Sequence, residues 1–139
     1  MTVIRSSLQL KTQGYCDVID ISGQLSDLVR GAAIHDGVAV VFCQSSTSAL
    51  STIEYEPGCI EDLKQFFEKI LPSGASYQHN LRWGDGNGYS HLRAALLGAS
   101  LTIPFENHRL MLGTWQQVVL VDFDNRPRKR ELIVQLIGD

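Results

Sequence analysis

The feature that most narrows the fold is the run Gly37-Val-Ala-Val-Val-Phe-Cys43, in which six apolar residues follow a glycine without a polar break. Its length is short for a buried helix. Three of the six are Val and a fourth is Phe, so the run predicts a buried strand. A second run, Thr114 to Phe123, carries Trp115, Val118, Val119, Leu120 and Val121 and also reads as a strand. Around these lie weaker patterns of period two. Val3 to Leu10 sets Ile4, Leu8 and Leu10 against Val3, Arg5, Ser7 and Gln9. Thr12-Gln-Gly14 and Tyr15 to Ile21 then predict that this strand forms an N-terminal hairpin with the next. Leu50–Tyr55, Leu101–Phe105 and Glu131–Ile137 complete the strand set. Turns at Asn107-His108 and Asp124–Pro127 punctuate it.

Helical spacing is confined to three places. Ser22 reads as an N-cap for Leu25, Leu28 and Val29, with Gly31 near the end. Ile60, Leu63, Phe66, Phe67 and Ile70 form an amphipathic stripe behind Pro57-Gly58, which ends the preceding strand, and Pro72 and Gly74 stop the stripe. Ser90 caps a short helix, His91 to Leu97, ended by Gly98. Residues 74–90 are rich in glycine and polar side chains and read as one long functional loop. Strands cluster at the two ends of the chain and short turns join them. That order implies an α+β fold with mainly antiparallel pairing, in one domain over residues 1–139.

A chain of 139 residues can bury a core without covalent staples. Cys16, Cys43 and Cys59 are odd in number and lack motif spacing, so they are expected as reduced thiols. The formal net charge of −3 gives no electrostatic footprint for nucleic acid. No stretch approaches the apolar length of a membrane helix or a signal peptide, so a cytoplasmic location and no membrane partner are expected.

Chemistry-bearing residues concentrate in Tyr77-Gln-His79-Asn-Leu-Arg-Trp-Gly-Asp85-Gly-Asn87-Gly-Tyr-Ser90-His91. His79 and His91 flank a glycine-rich segment, and imidazole is the side chain best suited to proton transfer near neutral pH and to metal ligation. Two readings stay open for the pair: a site, or rings that satisfy local backbone groups. No His-x-x-x-His or Cys-x-x-Cys spacing supports a metal. Gly84, Gly86 and Gly88 follow no buried strand and so are not a dinucleotide fingerprint. Gln44-Ser-Ser-Thr47-Ser is a hydroxyl-rich turn after a buried strand, suited to phosphate or merely solvated. No Gly-x-Ser-x-Gly elbow makes a nucleophile of its serines. Glu54 and Glu56 share a strand face. Arg126, Arg128, Lys129 and Arg130 form a basic cluster that reads as a solvated strand end, a partner for acidic residues or a phosphate contact.

Gly98-Ala-Ser-Leu-Thr-Ile-Pro104 followed by Arg109-Leu-Met-Leu-Gly-Thr-Trp-Gln116 resembles the signature of the YjbQ-like family. Tyr77-x-His79, Ser90-His91-Leu92, the stretch from Ser46-Thr47 to Glu54, and Pro127-Arg-Lys-Arg130 fit the same pattern in order. The resemblance implies a mainly antiparallel β-sandwich with flanking helices, assembled as a homotrimer. It also implies a secondary thiamine-phosphate synthase activity, a transferase that joins a pyrimidine pyrophosphate to a thiazole phosphate. Many members carry a histidine nine residues before the glutamate; aligned on Glu54, Ser45 stands in its place. A divalent metal, if bound, is then left with His79 and His91 and an oxygen ligand.

The expected site sets His79 and His91 as acid–base groups or metal ligands, with Glu54 positioning a histidine. Ser46, Thr47 and Arg93 hold the phosphate of a small-molecule substrate, and Asn87 and Gln116 orient it. Two alternatives are a non-catalytic module that binds a phosphorylated metabolite and a structural trimer with its histidines locked in subunit contacts.

Overall fold

A computed structural model describes residues 1–139. Twelve elements follow in chain order: β1 (Thr2–Thr12), β2 (Asp17–Asp20), α1 (Ser22–Gly31), β3 (Gly37–Cys43), β4 (Ser48–Ile53), α2 (Pro57–Ile70), α3 (Gln78–Trp83), α4 (Gly88–Leu97), β5 (Ser100–Glu106), β6 (Arg109–Leu110), β7 (Gln117–Asp122) and β8 (Arg128–Gly138). They make a five-stranded sheet in the order β1-β8-β3-β5-β6 and a three-stranded sheet in the order β2-β7-β4. Every pairing is antiparallel. The expected α+β class with antiparallel sheets is the one observed. No helix is long and apolar enough to cross a membrane.

The strand β7 explains the layering. Val118 and Leu120 belong to a core shared with Leu8, Ala39, Val41 and Leu132 of the large sheet. Val119 and Val121, pointing the other way, belong to a second core with Phe67 of α2, Ala94 of α4 and Phe123. The small sheet is therefore the middle layer, buried on both faces, and a continuous apolar run is what that position demands. Leu25 and Val29 of α1 join the first core.

The strand β3 departs from its expectation of full burial. Ala39, Val41 and Cys43 point inward and are buried, but Val38 and Val40 are half-buried and Phe42 is 43% exposed. The outer face of the large sheet is not covered within the chain.

The expected N-terminal hairpin does not form. β1 pairs with β8 over all eleven of its residues, from Thr2 opposite Gly138 to Thr12 opposite Arg128, whereas β2 pairs with β7. The intervening segment takes left-handed backbone at Gly14 (φ 76°), Tyr15 (φ 55°) and Cys16 (φ 62°). This turns the chain out of one sheet and into the other. A β-carbon on Gly14 would come within 2.6 Å of the carbonyl oxygens of Asp124 and Arg126, so the crossing needs glycine for space as well as for φ.

Helix starts also differ from the sequence reading. Ser22 is the first residue of α1 and offers no cap; its Oγ accepts a hydrogen bond from Val118 N–H at 2.8 Å, fastening the helix to β7. Pro57, expected only to end a strand, occupies the first turn of α2, where its missing N–H costs nothing. Glu56 caps that helix by accepting from the N–H groups of Gly58 and Cys59. The long loop of residues 74–90 contains α3 and the start of α4. Asn80 Oδ1 accepts from Gly88 N–H at 2.9 Å and so joins the two short helices. Ser90, expected as a cap, lies inside α4 and donates to the Asn87 carbonyl at 2.6 Å. The strand expected from Thr114 begins only at Gln117, because Gly113–Gln116 closes a turn and leaves Trp115 73% exposed.

Phe123 is fully buried and meets the Phe67 ring edge-on at 4.7 Å between centroids. Phe123→Ala should lower unfolding stability by about 3–5 kcal/mol in urea titration. A loss below about 1 kcal/mol would show that the helix layer does not depend on this contact.

Candidate functional site

The site is built on the corner where the chain leaves β7 and enters β8. Strand alternation sends Phe123 toward the helices, while Asp122 and Asp124 point together to the other side. Both carboxylates are fully buried. On β8, the same alternation turns Arg128 and Arg130 inward and leaves Lys129 exposed, while Arg126 is exposed in the turn before the strand. Arg130 Nε and Nη2 donate to the two oxygens of Asp122 at 2.8 and 3.0 Å. Arg128 Nε donates to Asp124 Oδ2 at 2.8 Å. Half of the basic cluster thus answers acidic residues of its own chain.

Hydroxyls and an amide complete the network. Thr12 Oγ donates to Asp122 at 2.6 Å. Thr47 Oγ donates to Asp124 at 3.1 Å and accepts from Arg130 at 2.7 Å. Asn87 Nδ2 donates to Asp124 Oδ1 at 3.2 Å. Burial alone would raise the Asp124 pKa, but the bonds from Asn87, the Asn125 N–H and Arg128 outweigh it and hold the carboxyl below the usual range. Burial works against the charge on Arg130 as well; its bonds and attraction to Asp122 win, and its pKa is raised.

Above this network opens a polar cleft of about 480 Å³. Ser45, Ser46, Asn87, His79, His91 and Asp85 are among the residues that line it, with the flanks of Arg128 and Arg130. His79 comes from α3 and His91 from α4, and their rings lie 4.4 Å apart at a tilt of 41°. Burial lowers the His91 pKa and the neighbouring His79 lowers it further, against smaller opposing effects from Asp124, Asp85 and the Ser46 backbone. His79 Nδ1 is 3.5 Å from Asp85 Oδ1, without the alignment of a hydrogen bond. Ser45 Oγ accepts from the N–H groups of Thr47 and Ser48 at 3.1 and 3.2 Å, which shapes the turn entering β4.

Of the expected site residues, His79, His91, Ser46, Thr47 and Asn87 meet in this cleft. Thr47 comes with its hydroxyl already bonded in both directions. Arg93 does not face the cleft. Two positions after His91 on a helix is a turn of roughly 200°, so it points away. It is buried against Tyr89, Phe67 and Phe123, and bonds Glu68 and the Leu71 carbonyl. Glu54 is exposed beyond the far end of β4, six residues or roughly 20 Å along the chain from Ser48. Gln116 accepts from Gly113 N–H in its own turn and donates to Thr52 Oγ on β4. Sequence reading missed Asp122 and Asp124 as a pair; the signal was Asp-x-Asp facing Arg-x-Arg across one turn. No three His, Cys, Asp and Glu side chains converge as a metal-holding group. The donors His79, His91 and Asp85 therefore do not fit a tight metal centre within one chain.

Residues 6–139 match the family model described as UPF0047 protein YjbQ-like. The chain belongs to the YjbQ-like family. A UPF0047 protein of Archaeoglobus fulgidus is 39% identical over 94% of this chain and 98% of its own length. One from Methanothermobacter thermautotrophicus is 38% identical over 99% of this chain and 94% of its own. Among solved structures, a YjbQ-like protein of unknown function from Sulfolobus solfataricus P2 superposes with a TM-score of 0.93 at 30% identity, covering 99% of each chain. A hypothetical protein from Aeropyrum pernix K1 gives 0.90 at 30% identity, covering 98% of this chain and 99% of its own. The YjbQ-like fold thus extends over the whole chain.

Asp124→Asn leaves a donor facing donors and strips Arg128 of its buried partner. It should cost about 3 kcal/mol of stability at pH 7, read by urea unfolding. The Asp124 pKa is lowered in the folded state, so its contribution is present above the ordinary carboxyl value of about 3.9 and is lost as pH falls through the folded value. Between pH 7 and pH 3 the wild type should lose stability more steeply than the variant; parallel curves would contradict this.

Proposed function

We propose that the cleft binds a small phosphorylated molecule and that His79 and His91 carry out acid–base chemistry on it. The observation that carries this reading is the imidazole pair, two rings 4.4 Å apart on the wall of a polar cleft. Rings so close resist carrying two charges at once, which suits a pair that passes a single proton. Ser46 and the outer nitrogens of Arg128 and Arg130 supply donors for phosphate oxygens.

The reaction that suits this set is the thiamine-phosphate synthase type implied by the family resemblance. A bond to the thiazole nitrogen forms as the carbon–oxygen bond to pyrophosphate breaks. Pyrophosphate leaves with the electron pair, and the proton held by the histidine pair passes to it. His79→Ala and His91→Ala should each reduce turnover at least a hundredfold. Their unfolding curves should stay close to wild type. Full activity in both variants would remove this assignment. Because the group donates a proton, the lowered His91 pKa puts the alkaline limb of the pH–rate profile below the ordinary histidine value of about 6.5. A limb at or above that value would point to another group.

One observation favours a second reading, binding without turnover. Ser45 stands where the family resemblance implies a histidine, and its oxygen is used to shape the turn. Tight binding of a phosphorylated metabolite with no product formed would select it.

The uncovered outer face of the large sheet, with Phe42, Val38 and Val40, supports a homotrimer packed through that face. Phe42→Glu should convert a trimeric sedimentation profile into a monomeric one. An unchanged profile would exclude this face as the contact.

A further inference from the structure

Tyr89 and Arg93 lie four residues apart on α4 and so share a face, the one turned away from His91 and the cleft. That face packs on Phe67 and Glu68 of α2 and forms the floor of a separate pocket of about 340 Å³, near the small end of the range for small-molecule sites. Tyr15 and Cys16, from the crossing between the two sheets, make one wall; Glu61, Lys64 and Glu68 of α2 make the other.

The two polar groups of the floor are more than nine-tenths buried and not fully bonded. Tyr89 is 4% exposed, and its hydroxyl takes part in no hydrogen bond within the chain. Arg93 is 3% exposed; its Nε and Nη2 donate to the Leu71 carbonyl and Glu68, and its Nη1 donates to nothing. The side-chain atoms sealed from solvent without a partner are His79 Nδ1 and Asn87 Oδ1, both on the other side of α4. Tyr89 Oη and Arg93 Nη1 therefore reach open space, and the pocket is the space that both residues line. The rings of Tyr89, Phe67 and Phe123 surround the guanidinium at 4.8, 5.9 and 6.0 Å and fix its direction.

Every uncommitted polar group here is a donor. Burial raises the Tyr89 pKa, so the phenol keeps its proton near neutral pH. Arginine has no acceptor. Lys64 belongs to no ion pair of the chain. The carboxylates are engaged: Glu68 accepts from Arg93 and Ser73, and Glu61 from Gln65. Such a set selects an anion. Two cations and two carboxylates line the pocket, so it has no surplus of positive charge to hold a dianion. A carboxylate brings two acceptor oxygens and one charge. The Cys16 thiol, pushed up to about 11 mainly by burial, stays neutral beside it. Tyr15, held in left-handed backbone at φ 55° and 68% exposed, offers its ring at the mouth.

We propose that this pocket is a second ligand site, for a small molecule with one carboxylate and an apolar body. The carboxylate accepts from Arg93 Nη1 and Tyr89 Oη, Lys64 supplies the counter-charge, and the body lies against Tyr15. The site is independent of the reading given for the cleft.

The test compares benzoate with benzamide, which match in shape and differ in charge, by ¹⁵N chemical-shift titration of the full chain. Benzoate should shift the backbone signals of Tyr15, Cys16 and Lys64, leave those of His79 and His91 in place, and bind about tenfold tighter than benzamide. Phenyl phosphate should bind more weakly than benzoate. Tyr89→Phe and Lys64→Gln should each weaken benzoate about fivefold and leave benzamide unchanged. If Tyr89→Phe does not fold, Lys64→Gln on the half-buried wall decides alone. Equal affinity for benzoate and benzamide overturns the carboxylate site, as does undiminished benzoate affinity in the folded variants. Tighter binding of phenyl phosphate overturns the choice of anion. Shifts confined to the His79 and His91 side place benzoate in the cleft and overturn the second site.

Discussion

The buried pairing of Asp122 and Asp124 with Arg128 and Arg130 sits where the polypeptide passes from the middle layer to the outer one. Both carboxylates are removed from water there while the two guanidiniums keep part of their surface in the cleft, and each carboxylate is closed off by further donors from Thr12, Thr47 and Asn87. These donors come from β1, from the turn before β4 and from the residue before α4. One cluster therefore fixes the relative placement of both sheets and the helix that carries His91. Such a cluster is poor evidence for stability in itself, since apolar replacements of similar volume can do as well. What it supplies is position: the cleft floor is a set of charges with one low-energy arrangement, and the histidines stand on it.

Much of the architecture was legible because burial leaves a periodic trace. The run through Val118–Val121 reads as a strand, and it is one, β7, which the structure buries on both faces. The α2 stripe was found to the residue at its C-terminal end, Ile70. The failures have a common cause. Local patterns say that a segment is a strand but not which strand it meets, so they pair β1 with β2 although the true partners lie about a hundred residues or more away. The run in β3 was read as buried on both faces because an apolar outer face looks the same in sequence whether the chain or another molecule covers it.

The site shows the same division. His79 and His91 are twelve residues apart, and only the pair of short helices hidden in an apparent loop brings them ring to ring. Glycine and polar content concealed α3 and the first turn of α4, since α3 has just six residues and no buried ones, whereas His91–Leu97 reads as helix from the sequence. Gly88 shows why the composition is what it is: a β-carbon there would lie 2.7 Å from Cβ of Tyr77. Arg93 and Thr47 went to other tasks. A guanidinium two residues along a helix from a site residue faces its opposite side, and a hydroxyl beside buried ions is taken by them.

The register of β1 against β8 has a consequence for how the chain is made. Leu8 and Leu10 are core residues, yet the strand that hydrogen-bonds theirs is Arg128–Gly138. During synthesis the first strand emerges with an apolar face and two bare edges and must remain so until nearly all of the sequence has followed. The large sheet then closes from its last-made strand, which inserts between β1 and β3. Pairings of such separation close slowly, and a nascent chain of this type stays open to wrong partners for most of its translation.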